Sequence, residues 1–377
     1  MERYMDSQVV VETIGIYTEL DAFLLRHNSK RLLLVCDAAI SCLHINSYFL
    51  NLKMRTNIEV ISFSSFQPNP LYESVVEGVE LFRAEKCDTI IAVGGGSAID
   101  VAKCIKLFSN MDSSSNYLQQ QIIANDVLFI AVPTTAGTGS EATKYAVIYF
   151  NGEKQSIADE SCIPSMVLMD RSVLKTLPIY QKKATMLDAL CHAIESLWSV
   201  NSTETSQVYA KEAIRLVFDN KDDYLQNDDI GNSGMLKAAY LAGKAINITQ
   251  TTAGHAMCYK LTSMYNIAHG HAAALCVAKL WLYMMANIEK CIDKRGKKHL
   301  EDSFQKIALA MGYDNNDCAV YSYQQLLKEL GLDVPSVHNE GEFQILKESV
   351  NSVRLKNNPV ELTKEAIDEL YHQILAK

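Results

Sequence analysis

The 377-residue sequence lacks several features that mark whole classes of protein. Its ten cysteines form no Cys-x-x-Cys pair, which favours reduced thiols and a cytoplasmic location. The opening, MERYMDSQ, has no apolar segment, so no signal peptide is expected. Positive charge is also in deficit, with 35 Lys and Arg against 44 Asp and Glu. The net charge of −9 argues against a nucleic-acid or anionic-membrane partner.

Long apolar runs are missing as well. The longest, AAALCVAKLWLYMMANI from Ala272 to Ile288, is interrupted by Lys279 and falls short of the roughly 20 residues that a membrane span requires. We predict a buried helix here instead. The composition, 48% hydrophobic and 21% charged, is typical of a globular protein, and the length favours two domains.

The first half of the chain predicts an α/β domain. Short apolar or β-branched runs alternate with amphipathic segments from residue 32 to about residue 170. This alternation is typical of βαβ units and a mostly parallel sheet. The runs are RLLLVCD, NIEVISF, DTIIAVGGG, VLFIAVPTT and SMVLMD.

Strand signals stop in the second half, and proline is rare there. After Pro178 only Pro335 and Pro359 occur, and long helical patterns fill the rest of the chain. We therefore predict an all-helical second domain. The expected division is 1–178 for the α/β domain and 179–377 for the helical one.

Three glycines follow the strand-like run DTIIAV directly. Gly94, Gly95 and Gly96 precede a predicted helix that Ser97 would cap, and bare amides at a helix N-terminus suit a pyrophosphate. The same glycines could also serve only a tight strand-to-helix turn. The sequence has no GxGxxG fingerprint and no Walker A lysine, so neither the ordinary Rossmann motif nor a P-loop applies.

A second turn, VPTTAGTGSEATK, follows another hydrophobic run. Thr134, Thr135, Thr138 and Ser140 supply hydroxyl donors beside flexible backbone, which suits a ribose and phosphates. Asp37 ends the run RLLLVCD, where a carboxylate could bind an adenosine ribose and favour NAD over NADP. The alternative role for this aspartate is to cap the next turn.

Metal-ligating residue types are concentrated in the helical half. Asp188 and His192 stand four residues apart, so on a helix they share one face. The segment AGHAMCYKLTSMYNIAHGHAAAL adds His255, His269 and His271 in an apolar setting. Taken one at a time, each of these residues could instead form a helix pair, cap a helix or pack in the core. Together, a carboxylate and imidazoles suit Fe²⁺ or Zn²⁺ with a position open for a substrate oxygen.

In combination these motifs resemble the iron-containing (group III) alcohol dehydrogenase family over nearly the whole chain. The resemblance implies a nucleotide-binding α/β N-terminal domain with a mostly parallel sheet and an all-helical C-terminal metal-binding domain, the dehydroquinate synthase-like fold. It also implies a metal-dependent, NAD(P)-linked enzyme. The matching pieces, in order, are VCD, QPNP, GGGSAIDVAK, PTTAGTGSEAT, LDALCHAIE and GHAMCYKLTSMYNIAHGHA.

The resemblance also assigns site residues by position. It places His271 outside the metal ligands, which would be Asp188, His192, His255 and His269. The nicotinamide cofactor would lie against Asp37, Asn69, Gly95, Gly96, Ser97, Thr134, Thr135, Thr138 and Lys154.

The sequence departs from the family pattern at Tyr259. Many members have a histidine four residues after the third metal ligand, close to the nicotinamide. A tyrosine can still relay a proton or hydrogen-bond the cofactor, but its ordinary pKa of about 10 makes it a poorer shuttle near neutrality. We therefore keep Tyr259 as a candidate catalytic residue with an altered role.

Within the family, the segments ESLWSVNSTETS, TTAGHAMCYKLTS, HGHAAAL and VRLKNNPVELT are most similar to the branch that reduces phosphonoacetaldehyde to 2-hydroxyethylphosphonate. Lys260 is the candidate group for the phosphonate, with Thr262 and Ser263 beside it and Arg354 as a second cation. Lys260 could instead point to solvent while the hydroxyls serve backbone turns. The expected partner is a small aldehyde or alcohol, and a homo-oligomer is also considered.

Three alternatives stay open from the sequence. One is a dehydrogenase of plain short-chain alcohols and aldehydes. Another is a lyase similar to dehydroquinate synthase, which also uses NAD and a metal. The third is a nucleotide-binding protein with degraded chemistry, suggested by Tyr259.

Overall fold

The computed structural model describes residues 8–376. Residues 1–7, which supply most of the opening MERYMDSQ, lie outside the described residues. The chain divides into two compact units, one running to Leu177 and including Asn227–Leu236, the other comprising Pro178–Gln226 and the chain from Lys237 onward. The predicted division at 178/179 assigns Asn227–Leu236 to the second domain instead.

The described residues form eight β-strands and fifteen α-helices. The strands are β1 (Val9–Thr13), β2 (Arg31–Cys36), β3 (Glu59–Phe63), β4 (Thr89–Gly94), β5 (Leu128–Pro133), β6 (Tyr145–Phe150), β7 (Glu153–Ala158) and β8 (Met166–Asp170). The helices are α1 (Thr18–Arg26), α2 (Ile45–Leu50), α3 (Leu52–Thr56), α4 (Tyr72–Ala84), α5 (Gly96–Phe108), α6 (Ile179–Trp198), α7 (Glu204–Leu225), α8 (Asp229–Thr249), α9 (Ala253–Tyr265), α10 (His269–Ala286), α11 (Lys297–Ala310), α12 (Asn316–Glu329), α13 (Gly341–Ser349), α14 (Ser352–Leu355) and α15 (Lys364–Ile374).

The first unit is built on a six-stranded sheet in the order β1-β8-β5-β4-β2-β3, with every neighbouring pair parallel. The chain passes from β2 outward to β3 and then returns to β4 on the other side of β2, so the strand order reverses between β2 and β4. Open parallel sheets bind ligands outside the carboxyl ends of their strands at such a point. In this sheet those ends are Cys36 and Gly94.

Alternating side chains of the buried strands fill two hydrophobic cores, one on each face of the sheet. Leu33 and Val35 of β2 belong to the core that contains α4 and α5, whereas Leu32 and Leu34 belong to the core that contains α1 and α2. A strand presents successive residues to opposite faces, so a strand covered on both sides must be apolar throughout. The run LLLV in β2 meets this requirement.

All five runs predicted as strands are strands in the structure, but the sequence interpretation missed β1 and the hairpin of β6 and β7. The hairpin forms a separate antiparallel pair, turned by Asn151 and Gly152, which both have positive φ. That conformation is the one a two-residue type I′ turn requires. β1 is a short edge strand whose partner, β8, lies far later in the chain, so local sequence gives little indication of it.

The second unit is helical, as predicted, and its core includes both tryptophans. Trp198 and Trp281 are buried and meet edge to face, with their ring centroids 6.0 Å apart. The apolar stretch from Ala272 forms most of α10. Within residues 8–376, no helix is long and apolar enough to span a membrane.

A buried lysine connects α5 to the segment after β5 in the first unit. Lys103 is completely buried, and its Nζ lies 2.6–2.7 Å from the backbone oxygens of Ser140, Thr143 and Tyr145. The hydroxyls of Ser140 and Thr143 lie 3.2 and 3.1 Å from the same nitrogen. Burying an ammonium group is costly unless each of its protons is donated to a hydrogen bond. Lys103 therefore needs the oxygens of residues 140–145 as acceptors, and its hydrogen bonds hold that segment in its observed conformation.

Replacing Lys103 by methionine should lower the free energy of unfolding by about 3 kcal/mol or more, because buried carbonyl oxygens lose their donor. Lys53→Met is the matched control. Its Nζ pairs with Glu59 at an exposed site, where a loss of at most about 1 kcal/mol is expected. Urea unfolding followed by circular dichroism measures both. Equal losses would contradict the structural role of Lys103.

Candidate active site

The two turns predicted to cradle phosphates lie against each other. They follow β4 and β5, whose last residues, Gly94 and Pro133, are paired in the sheet. A Cβ atom added to Gly95 would come within 3.2 Å of Thr135, and one added to Gly96 within 3.0 Å of Thr138. Glycine at both positions therefore lets the two turns approach closely.

Ser97 does not cap α5, which corrects the sequence prediction. The helix begins at Gly96, and the cap position is occupied by Gly95 in an extended conformation (φ −77°, ψ −166°). Gly95 has no side chain to accept the first amide protons of the helix. The N-terminus of α5 is therefore suited to an anionic ligand.

The other candidate cofactor residues lie at or beyond the strand ends. Asp37 follows β2, is exposed, and its Oδ1 accepts a hydrogen bond from the Ala39 amide at 2.8 Å. The capping role considered for it is thus present. Asn69 is exposed with φ at 59°. Lys154 lies in β7 and is half-buried. Burial raises the pKa of the Asp100 carboxyl, and the Lys154 charge offsets part of that rise. Asp100 in turn accepts a hydrogen bond from Ser140 Oγ. Thr134 lies beside Gly94, to whose oxygen its amide donates.

The four predicted metal ligands lie together in the second unit. Asp188 and His192 come from α6, His255 from α9, and His269 is the first residue of α10. Ligand atoms of Asp188, His255 and His269 all lie within 4.8 Å of one another. His255 Nε2 is 3.4 Å from Asp188 Oδ1.

His192 lies at the edge of this group. Its Nε2 is 4.0 Å from Asp188 Oδ1, and its ring stacks on that of His255 with the centroids 4.5 Å apart. His271 points elsewhere: its Nδ1 is 3.2 Å from the hydroxyl of Tyr180, which also accepts a hydrogen bond from the Ala268 amide. Tyr180 therefore fixes the residue immediately before His269.

The electrostatics of the group favour an ionised Asp188. Burial alone would raise the pKa of this carboxyl, yet His192, His255 and His269 outweigh burial and lower it. Burial likewise opposes a charged His255, but Glu195 and Asp188 raise its pKa to about 9. Positive charge is thus stabilised at this position, and a divalent cation can supply it in place of ring protons.

Close packing of α6 and α10 depends on Gly270. A Cβ atom there would lie 2.0 Å from the backbone oxygen of Ala184 and 2.7 Å from Asp188 Cβ. Only glycine permits this approach, which brings His269 beside Asp188. In the sequence pair His-Gly, His269 is thus the candidate ligand, and Gly270 permits the helix contact that positions it.

Glu195 is a site residue that the sequence interpretation missed. It is completely buried, and its carboxylate contacts the Nδ1 atom of His255 and the hydroxyl of Thr252. The signal was present in DALCHAIE, because Glu195 follows Asp188 by seven residues and His192 by three and so lies on the same helical face.

The candidate catalytic residues are placed differently. The Tyr259 ring stacks on His269, with the centroids 5.3 Å apart, and burial raises its pKa while the Arg354 guanidinium opposes that rise. Lys260 is roughly 140° round α9 from His255, so it lies on another side of the helix. The hydroxyls of Thr262 and Ser263 donate to backbone oxygens one turn back, which is their alternative role.

Comparison with known proteins agrees with this arrangement. Residues 7–171 match the family model described as iron-containing alcohol dehydrogenase, and residues 182–375 match the C-terminal model of the same family. The chain belongs to the iron-containing alcohol dehydrogenase family. The predicted family and fold class are thus confirmed.

Three relatives illustrate the range of the family. The aldehyde-alcohol dehydrogenase of Streptococcus pneumoniae is 31% identical over 80% of this chain, which spans only 37% of that protein. The NAD-dependent methanol dehydrogenase of Bacillus methanolicus is 30% identical over 68% of this chain and 69% of its own. The phosphonoacetaldehyde reductase of Streptomyces viridochromogenes is 28% identical over 79% of both.

The fold is that of sulfoacetaldehyde reductase from Bifidobacterium kashiwanohense, solved in complex with NAD⁺. That structure superimposes with a TM-score of 0.87 over 98% of both chains at 24% sequence identity.

The residues of the helical unit fit a divalent transition metal ion. One carboxylate and three imidazoles are the donor types that Fe²⁺ and Zn²⁺ accept, and three of the four converge within 4.8 Å in a largely buried setting. Glu195 beside His255 is the outer carboxylate common at metal-bound histidines.

Gly270→Ala should lower the free energy of unfolding by about 3 kcal/mol or more and reduce bound Zn²⁺, since the new methyl group collides with the backbone of α6. Gly341→Ala is the control. It starts α13 at an exposed position, and its Cβ would meet only the flexible side chain of Asn339, at 3.0 Å. Chemical denaturation and atomic emission measure the two effects. Wild-type stability and metal content in Gly270→Ala would contradict the packing described.

Proposed function

We propose that the protein is a divalent-metal- and NAD(H)-dependent alcohol dehydrogenase that reduces small aldehydes. The observation that carries this proposal is the convergence of Asp188, His192, His255 and His269 from three helices, in a chain of this family. If these residues served only to pack the core or to pair along a helix, there would be no reason for three imidazoles to surround a buried carboxylate. The metal would be Fe²⁺ or Zn²⁺.

The cofactor proposed is NAD(H) rather than NADP(H), bound by the turns after β4 and β5. The uncapped start of α5 and the hydroxyls of Thr134, Thr135 and Thr138 support a pyrophosphate site there. Asp37 stands at the carboxyl end of β2, at the reversal of strand order, where a carboxylate disfavours a 2′-phosphate. The relative from Bacillus methanolicus, described as NAD-dependent, is consistent with this choice.

The chain's contribution to the reaction is mainly positioning. When bound, the ion supplies Lewis-acid polarisation of the carbonyl and the reduced nicotinamide supplies a hydride. Asp188 and the three histidine ligands would fix the position at which the aldehyde oxygen binds. The turns after β4 and β5 would fix the position of the pyrophosphate. Tyr259, stacked on His269, keeps its phenol protonated and so serves as a hydrogen-bond donor. This role fits its raised pKa better than that of a proton shuttle.

For the substrate we propose phosphonoacetaldehyde, which is reduced to 2-hydroxyethylphosphonate. The alignment with the Streptomyces enzyme, over 79% of both chains, supports this choice. Arg354 is a better candidate than Lys260 for the phosphonate. Its charge opposes the rise that burial causes in the pKa of Tyr259, and its Nη1 donates to Thr251 Oγ1 at 3.0 Å. A guanidinium can bind a phosphonate through two parallel hydrogen bonds.

Reduction of plain short-chain aldehydes is the second candidate, favoured by the likeness to methanol dehydrogenase. A cytoplasmic location and homo-oligomer formation stay predictions. The lyase and the degraded nucleotide-binding protein remain alternatives that the same assay separates, since a lyase leaves the total NADH unchanged and a degraded protein turns over no substrate.

With Zn²⁺- or Fe²⁺-loaded protein and NADH, kcat/KM for phosphonoacetaldehyde should exceed that for propanal by about 10- to 100-fold, the range expected for a charge-assisted hydrogen bond. NADH consumption and product analysis by phosphorus NMR measure it. Equal values would discard the phosphonate and retain the dehydrogenase. No oxidation of NADH with either aldehyde would contradict the proposed activity.

The Arg354→Gln variant tests the phosphonate contact. We expect it to lose most of the preference for phosphonoacetaldehyde while its kcat/KM for propanal stays within about twofold. Lys356→Gln, an exposed neighbour two residues away, is the matched control and should retain the preference. An unchanged preference in Arg354→Gln would exclude this arginine from substrate recognition.

A further inference from the structure

Glu195 is completely buried, and the two oxygens of its carboxylate have different hydrogen-bond partners. Oε1 lies 2.5 Å from Thr252 Oγ1, 3.2 Å from the Thr252 amide and 3.3 Å from the His255 amide, and all three donate to it. Trp198 Nε1 donates to the same threonine hydroxyl at 2.9 Å and thereby directs its proton toward Glu195. These amides lie at the start of α9, where the helix dipole also favours a negative charge.

The second oxygen, Oε2, contacts the imidazole of His255 at Nδ1. An ionised carboxylate offers only acceptors, so the shared hydrogen must lie on Nδ1. A neutral ring with its hydrogen on Nδ1 has a lone pair on Nε2. His255 Nε2 is the atom that lies 3.4 Å from Asp188 Oδ1 and so faces the other candidate ligands.

We propose that Glu195 is a positioning residue that fixes the Nδ1–H tautomer and the ring orientation of His255, so that Nε2 is available as a metal ligand. The inference rests on the proposed function, because it concerns the same metal site. Thr252 and Trp198 hold the carboxylate in place from the other side. Glu195 thereby decides which of the two ring nitrogens can bind the ion.

The variant Glu195→Gln reverses this arrangement with almost no change of shape. Its amide oxygen is retained by the three donors on the Oε1 side, which leaves the NH₂ group facing His255 Nδ1. That nitrogen must then accept, and the ring proton moves to Nε2, which can no longer bind a metal ion. We expect the Kd for Zn²⁺ to rise about 10- to 100-fold, as for other carboxylates that support metal-bound histidines.

The experiment titrates wild type, Glu195→Gln and Glu141→Gln with Zn²⁺ against a chromogenic chelator, with circular dichroism to verify folding. Glu141 is the control, because it is also a buried glutamate but lies in the first unit. Weaker binding in Glu195→Gln alone supports the inference. Wild-type affinity in Glu195→Gln overturns it while leaving the proposed function intact. Wild-type protein that binds no Zn²⁺ overturns both.

A second measurement applies if Glu195→Gln does not fold. In the Zn²⁺-loaded wild type labelled with ¹⁵N-histidine, the His255 signals are those that disappear in His255→Gln. The inference predicts that the ring proton of His255 lies on Nδ1 and that Nε2 carries no proton. A proton on Nε2, with Nδ1 unprotonated, would overturn it.

Discussion

A carboxylate that is only 3% exposed must be compensated by nearby positive charge or donors, and Asp188 meets this condition with three imidazoles. The convergence of α6, α9 and α10 follows from that requirement. His192 comes from the same helix one turn later, whereas His255 and His269 come from α9 and α10. All three helices must therefore approach one point. Gly270 permits the approach of α10 to α6, because any side chain there would meet the backbone of α6.

The same constraint explains the second buried carboxylate. Two ionised groups, Asp188 and Glu195, share His255 between them, one at each ring nitrogen. Buried charges in such an arrangement are costly unless each is fully hydrogen-bonded, and Thr252 and the amides at the start of α9 meet that need for Glu195. In the α/β unit a buried positive charge, rather than a buried carboxylate, requires such partners. There Lys103 is buried among neutral oxygens and stabilises the segment that follows the threonine-rich turn.

Much of this organisation was predictable from the sequence because it depends on local patterns. The apolar runs of β2, β4, β5 and β8 indicate buried parallel strands, and the four-residue spacing of Asp188 and His192 indicates a shared helical face. β1 was not predictable locally, since its partner strand is distant in the chain. The Asn151-Gly152 hairpin did carry a sequence signal, a two-residue turn of the type I′ class, which was overlooked.

The details of the site are harder to predict from the sequence, because they depend on contacts between residues that are distant in the chain or on side-chain direction. Ser97 resembles a helix cap by residue type, but the helix begins at Gly96, and no side chain caps its first amides. Glu195 was visible on the same helical face as Asp188, yet its partners, Thr252 and His255, come from another helix and become evident only in three dimensions. The roles of Lys260 and Arg354 depend likewise on side-chain direction, which residue spacing describes poorly for a partly exposed side chain.

Anomalous diffraction from crystals grown with Zn²⁺ or Fe²⁺, measured on both sides of the absorption edge of that metal, tests the central claim most directly. The account predicts one strong peak at about 2.1 Å from a carboxylate oxygen of Asp188 and from imidazole nitrogens of His192, His255 and His269. A fully loaded protein whose metal lies elsewhere, or is held without Asp188 and His255, would contradict it.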